Sequence, residues 1–238
     1  MFFIASRLIQ RVTIGSPEHL LPIGIAVLCS FLLIRFAKQS SDQKLKLTLF
    51  NGLAVFVSLS VLSFHVYHIC FKSYDLKTDL PLYLCSLIAL LIPVFSYFRR
   101  YWMFEILVFW IIAGTIQGVI TPDIAVGFPS FDYFRYWIVH LGLLSIIFYA
   151  VFVFKMKPKF ISIFKSFFAL QLYVVFMVVI NFLLDANYFY LNQKPKSASL
   201  LDYFGEWPYY IIIAQLIIIP LFLIIYVGFY LSSIKKTN

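Results

Sequence analysis

The run YIIIAQLIIIPLFLII, residues 210–225, decides the fold class. Its sixteen positions hold one amide, Gln215, and no charge. A membrane β-strand alternates apolar and polar residues over about ten positions; this run is apolar on every side. A helix needs ~20 mostly apolar residues to cross the hydrocarbon core, and it satisfies its own backbone groups there. The run sits in a span over 208–231, and six more stretches of the same character precede it, at 18–36, 47–71, 80–98, 102–120, 136–154 and 167–184. The pattern predicts an all-α polytopic membrane protein built as a seven-transmembrane-helix bundle. Composition agrees. The 238 residues are 63% apolar and 12% charged, against about 45–50% and about 25% for soluble domains, so a soluble globular fold is excluded.

The formal charge of +9 first suggests a nucleic-acid partner, but its placement points to topology instead. Loops on the side of the N-terminus hold seven Lys and Arg, and those on the side of the C-terminus hold twelve. By the positive-inside rule the N-terminus is outside and the C-terminus inside. Residues 1–17 carry Arg7 and Arg11 among apolar neighbours, with no long apolar core and small-residue cleavage site to make a signal peptide. They read as an interfacial segment ahead of one membrane domain over 18–238. No internal repeat of the kind seen in many transporters is evident.

Polar residues inside spans are costly and mark candidate sites. Cys85 and His140 each lie about five residues into a span entered from outside, roughly 7 Å deep at 1.5 Å per residue. His19, His65, His68, Gln117, Asp123, Asn181 and Asp185 crowd the same end of their spans. A thiol and an imidazole at one depth suit nucleophilic acyl transfer, the imidazole taking the thiol proton and the thiolate forming a thioester. Plainer readings stand beside this: a free Cys packs as a small hydrophobe, and an intramembrane His joins helices by a hydrogen bond. Their different depths argue against a Cys70–Cys85 disulfide, and Cys29 reads as packing. His65 and His68 share a helical face, but no HExxH pattern or Cys pair supports zinc, so no metal is expected. Glu105 is expected to pair with Arg99 or Arg100. No Gly-rich phosphate loop suggests a nucleotide-bearing cofactor, and none is expected.

Two outer connections, 121–134 and 185–207, are long and aromatic. The second is too long for a structureless loop in a compact domain. It reads equally as an aromatic belt or as a lid that binds a lipid headgroup. On the second reading Asp123, Asn181, Asn187, Tyr188, Lys194, Asp202 and Trp207 contact substrate, with Lys194 and Lys196 beside Asp202 and Glu206 matching a zwitterionic headgroup. Asn181 or Gln117 is then a candidate oxyanion donor, and Asp123 a candidate for orienting His140.

Leu80-Pro81-Leu82-Tyr83-Leu84-Cys85, Thr121-Pro122-Asp123 with Gly127-Phe128-Pro129, His140 and the 187–208 stretch together resemble the YwaF-like bacterial integral membrane proteins. That family is similar to the animal transmembrane-protein-164 acyltransferases, and the resemblance runs over nearly the whole chain after the first span. It implies a multi-pass protein of the bacterial plasma membrane that moves a fatty acyl chain onto lysophospholipids, with Cys85 as nucleophile and His140 as base. The bacterial pattern has His at Tyr83, Asp at Ser86 and Pro at Glu206; the first two departures remove a second imidazole and an orienting acid.

These readings converge on a membrane-embedded acyltransferase or transacylase acting between phospholipid and lysophospholipid through a Cys85 thioester. Membrane phospholipids and lysophospholipids are then its partners, and nucleic acid is not. The alternative is a non-catalytic lipid- or solute-binding membrane protein, a carrier or accessory subunit. The sequence leaves its oligomeric state open.

Overall fold

The computed structural model describes residues 11–234 of the chain. The expected interfacial segment over 1–17 falls mostly outside the described residues. Among those described the protein is helical without strands. The helices are α1 (Pro17–Gln39), α2 (Gln43–Phe71), α3 (Leu84–Phe98), α4 (Tyr101–Ile120), α5 (Phe131–Phe152), α6 (Phe160–Leu184) and α7 (Tyr209–Ile234). Six are long and apolar enough to cross a membrane, and α3 is a shorter apolar helix. Its 15 residues rise about 22 Å, less than the ~30 Å of hydrocarbon.

Local chemistry moves several boundaries from those expected. Helix α3 starts at Leu84 rather than 80, because Tyr83 is extended (φ −70°, ψ 135°) and Pro81 favours an extended residue before it. Helix α5 starts at Phe131 rather than 136, where the Ser130 hydroxyl caps the Tyr133 N–H. Helix α6 starts at Phe160 rather than 167, with Ser162 and Lys159 bonded reciprocally at its first turn. Hydropathy alone misses such polar first turns.

Helix α2 packs against α3 and α5 in the centre of the bundle. At the end with short connections, Phe50 stacks on Tyr149 (5.3 Å) and meets Phe95 and Phe154 edge-on. The Tyr149 hydroxyl donates to the Lys46 carbonyl. Also at this end, Glu105 is buried and accepts from the Ser162 hydroxyl (2.7 Å) and the Lys165 ammonium (2.8 Å). It therefore pairs across to α6, not with the expected Arg99 or Arg100; Arg99 turns back to the Ser96 carbonyl.

Peripheral helices expose bulky apolar side chains such as Phe182, Leu172 and Leu216. So large an apolar surface belongs against lipid, and the protein is a multi-pass membrane protein.

The α2–α5 crossing is close because Gly142 has no side chain; a Cβ there would lie well inside contact distance of the Val57 Cγ2. Valine is stiff at χ1 and cannot swing aside. Gly142→Ala is expected to destabilise the bundle by about 1–3 kcal/mol. Adding Val57→Ala should recover most of the loss, read as thermal midpoints in detergent.

Candidate functional site

Cys85 occupies the first turn of α3, beside buried Leu84. Its sulfur lies 3.7 Å from the Thr115 hydroxyl. Thr115 ends a π-turn over Ile111–Thr115 that interrupts α4. A π-turn inserts one extra residue and turns the following side chains, and such turns recur at functional sites. Three residues on, Gly118 faces His140: a Cβ at Gly118 would lie 2.7 Å from Cδ2 and 2.8 Å from Nε2 of the imidazole. Positions three apart share a helix face and differ by about 4.5 Å in height. Cys85 and His140 thus approach one face of α4 within a single turn. Both sit deep in the bundle yet keep some accessible surface.

The His140 ring stacks on Tyr136 (4.0 Å), and its Nδ1 meets the Tyr136 carbonyl at 2.8 Å. A carbonyl only accepts, so Nδ1 carries the proton and Nε2, beside Gly118, holds the lone pair in the neutral ring. The Tyr136 hydroxyl donates to the Gly118 carbonyl (2.7 Å), which fixes α5 against α4. On the sulfur, burial and the Thr115 hydroxyl act most directly, with the Tyr136 and Tyr173 phenols in electrostatic range. Its hydrogen-bond partner is the Thr115 hydroxyl, not His140.

The connection over 185–208 roofs this region. Buried Asn181 clamps it: its Oδ1 accepts from the Tyr188 N–H (2.7 Å) and its Nδ2 donates to the Tyr188 carbonyl (2.9 Å). Tyr188 is fully buried, and its hydroxyl donates to Leu76 O and accepts from Leu80 N–H. Tyr83 packs against both Tyr188 and Tyr190 at 5.4 Å. Phe189 meets Tyr173 edge-on, and Tyr173 donates to the Leu82 carbonyl.

Asp123 gathers the remaining pieces, accepting from Arg11, from the Ser197 hydroxyl (2.8 Å) and from Tyr190 (3.2 Å). Burial, followed by the neighbouring Asp123 charge, pushes the Tyr190 phenol up. The Asp123 carboxylate is turned to these partners and the His140 Nδ1 to a backbone carbonyl.

Others of the expected substrate contacts serve the connection itself. Asn187 accepts from the N–H groups of Asn192 and Gln193, and Asp202 caps the turn at Ser199. The Trp207 indole donates to the Leu191 carbonyl. Lys194 reaches Glu206 (3.2 Å) and lies over the Tyr210 ring. Thr115, Gly118, Tyr136, Tyr173, Arg11 and Ser197 are parts that sequence reasoning missed. The one available signal was Gly114 and Gly118 together in a single span of a chain with nine glycines.

His65 and His68 diverge to different partners, Tyr74 (3.1 Å) and Asp79 (3.4 Å). Among the described residues no three His, Cys, Asp or Glu come together as a metal cluster. Asp79 organises the 72–83 connection. Burial opposes its ionisation, but the Asp75 N–H, the Thr78 hydroxyl and His68 outweigh it and hold the carboxyl below its usual range.

The TMEM164 family profile matches residues 14–226, and the chain belongs to that family. No curated protein and no solved structure matches it.

Asn181→Ala strands the buried N–H and carbonyl of Tyr188, each worth about 1–3 kcal/mol when unsatisfied. Faster amide exchange over 186–204 is expected, with the α2–α5 core unchanged. Acid should act first on the 72–83 connection. A carboxyl whose folded pKa is depressed stabilises above its unfolded value, about 3.9, and that contribution is lost as pH falls through the lower folded value. Exchange in this connection should rise on acidification below about pH 4. Asp79→Asn should reduce the dependence, the remainder belonging to the Lys77–Asp185 pair that ties the connection to α6.

Proposed function

We propose that this member of the TMEM164 family is an acyltransferase or transacylase that passes a fatty acyl chain from a phospholipid to a lysophospholipid. The observation that carries the reading is the approach of Cys85 and His140 to one turn of α4, with the imidazole held by Nδ1 so that Nε2 is the free base. In the first half-reaction the Cys85 proton passes to Nε2, by rotation of the side chain or through the Thr115 hydroxyl. The sulfur attacks the ester carbonyl, the ester C–O bond breaks, and the leaving lysolipid alkoxide takes the proton from His140. In the second, His140 removes the proton of the acceptor hydroxyl as its oxygen attacks the thioester. The C–S bond breaks, and the proton returns to the sulfur. The distribution of Lys and Arg supports placing the roofed end outside, and the resemblance to bacterial proteins suggests a bacterial plasma membrane. A phospholipid donor suits that side better than a cytoplasmic thioester cofactor. The roof, tied down by Asn181 and Asp123, then covers the reacting carbonyl and excludes water.

A second reading, a non-catalytic lipid-binding protein, is favoured by the sulfur's surroundings. Reactive cysteines sit in electropositive neighbourhoods, whereas Cys85 is buried with the hydroxyls of Thr115, Tyr136 and Tyr173 for polar neighbours.

Intact-protein mass spectrometry after incubation with phospholipid separates the two. The transferase reading expects a hydroxylamine-labile adduct of one acyl mass on wild type and none on Cys85→Ala. His140→Gln should slow its formation by about 10²–10⁴-fold. Lipid turnover by Cys85→Ala equal to wild type would sink the nucleophile assignment.

A further inference from the structure

Arg135 lies in the second turn of α5; its charge reaches His140 and Tyr136, but its side chain turns to α2. Its guanidinium stacks 4.1 Å over the Phe64 ring and makes one long contact, 3.4 Å, to half-exposed Asp132. Its Nε is buried without a hydrogen-bond partner. A guanidinium carries five N–H donors; the Asp79 carboxylate acts on this one only through its charge, so most of its hydrogen-bonding capacity is unspent.

Beside it runs a groove of about 650 Å³ between α2 and α5. Phe56, Leu59, Leu62 and Val66 form its α2 wall and Phe134 and Ile138 its α5 wall, and Arg135, over the Phe64 ring, stands about midway along it. From Phe64 to Phe56, the far end of the α2 wall, the helix rises about 12 Å, most of the roughly 15 Å of one leaflet's hydrocarbon. On α5, positions 131, 134, 135 and 138 share one helix face, and His140 lies nearly opposite. The groove is therefore separate from the Cys85–His140 site.

We propose that this groove holds one glycerophospholipid, its phosphate on the Arg135 guanidinium and an acyl chain along α2. Charge complementarity selects the occupant. The walls accept any acyl chain, but the cation among them has unspent donors and a buried Nε without a partner, which a phosphodiester would supply. Arginine meets phosphate with paired, charge-assisted hydrogen bonds, and these would relieve the buried donor. Asp132 takes a single nitrogen and leaves the others for the lipid. The lipid is a resident, not a substrate, and the inference stands whether or not Cys85 is a nucleophile.

Native mass spectrometry of the full chain released from detergent tests it, with phosphatidylglycerol or dioleoylglycerol as the added lipid. Wild type is expected to retain phosphatidylglycerol preferentially. Arg135→Gln should weaken that retention about tenfold, the scale of one charge-assisted contact, and leave dioleoylglycerol unaffected, which also reports that the variant is folded. Arg135→Lys should fall between. Leu62→Trp, which fills the groove, should weaken both lipids, and Cys85→Ala should change neither. Equal retention of the two lipids by wild type, or phosphatidylglycerol binding untouched by Arg135→Gln, overturns the proposal.

Discussion

A polar group carried into hydrocarbon has no water to fall back on, so it must find its partner within the chain. That constraint arranges this bundle. Glu105 is neutralised and bonded across α4 and α6 by Lys165 and Ser162. The Trp110 indole donates to the Ser166 carbonyl, and the Ser166 hydroxyl donates to the Ile106 carbonyl. His19 accepts from the Gly15 N–H through Nδ1 and bonds the Val119 carbonyl through Nε2, joining α1 to the far end of α4. Asn181 spends both ends of its carboxamide on one residue of the roof. Van der Waals packing fills the space between helices, but these bonds fix which helix ends meet.

The candidate site inherits its geometry from the same rule. The His140 Nδ1 is committed to a backbone carbonyl, Tyr136 ties α5 to Gly118, and Asn181 and Asp123 hold the roof. What remains at the centre are groups with capacity to spare, the sulfur of Cys85 and the Nε2 of His140, with the Thr115 hydroxyl beside the sulfur. On the proposed reading, a bound lipid carbonyl or hydroxyl completes this arrangement.

Much of the fold was legible because hydropathy reads lipid exposure directly: the run over 210–225 and its counterparts locate the helices. The matched depth of Cys85 and His140 follows from span starts at 80 and 136, but the helices begin at Leu84 and Phe131. Cys85 is therefore the second residue of α3 and His140 the tenth of α5, and what relates the two is their common neighbour α4. Other features were not legible, and for physical reasons. The π-turn that presents Thr115 changes no hydropathy, so nothing in Ile111–Thr115 announces it. Glu105 has basic neighbours in sequence at Arg99 and Arg100, yet its partners come from a helix some sixty positions away. The polar and aromatic residues of the 185–207 connection looked like ligand contacts because the same side chains that bind a headgroup also bond backbone. Asn187, Asp202 and Trp207 do the second, and composition cannot tell the two apart.

Helices α1 and α7 bury few of their side chains, and lipid tails are as apolar as the helix faces they would otherwise cover, so no hydrophobic gain drives these two inward. Each is fastened instead by a few polar contacts: Ser30 with Ser145, His19 with the Val119 carbonyl and Tyr133 with the Glu18 carbonyl for α1, and Gln171 with Gln215 and Tyr210 with the Tyr190 carbonyl for α7. A handful of side-chain bonds, rather than a wide apolar seam, therefore sets the register of the two outer helices, and a single polar-to-apolar substitution on the rim removes a large share of what holds one in place.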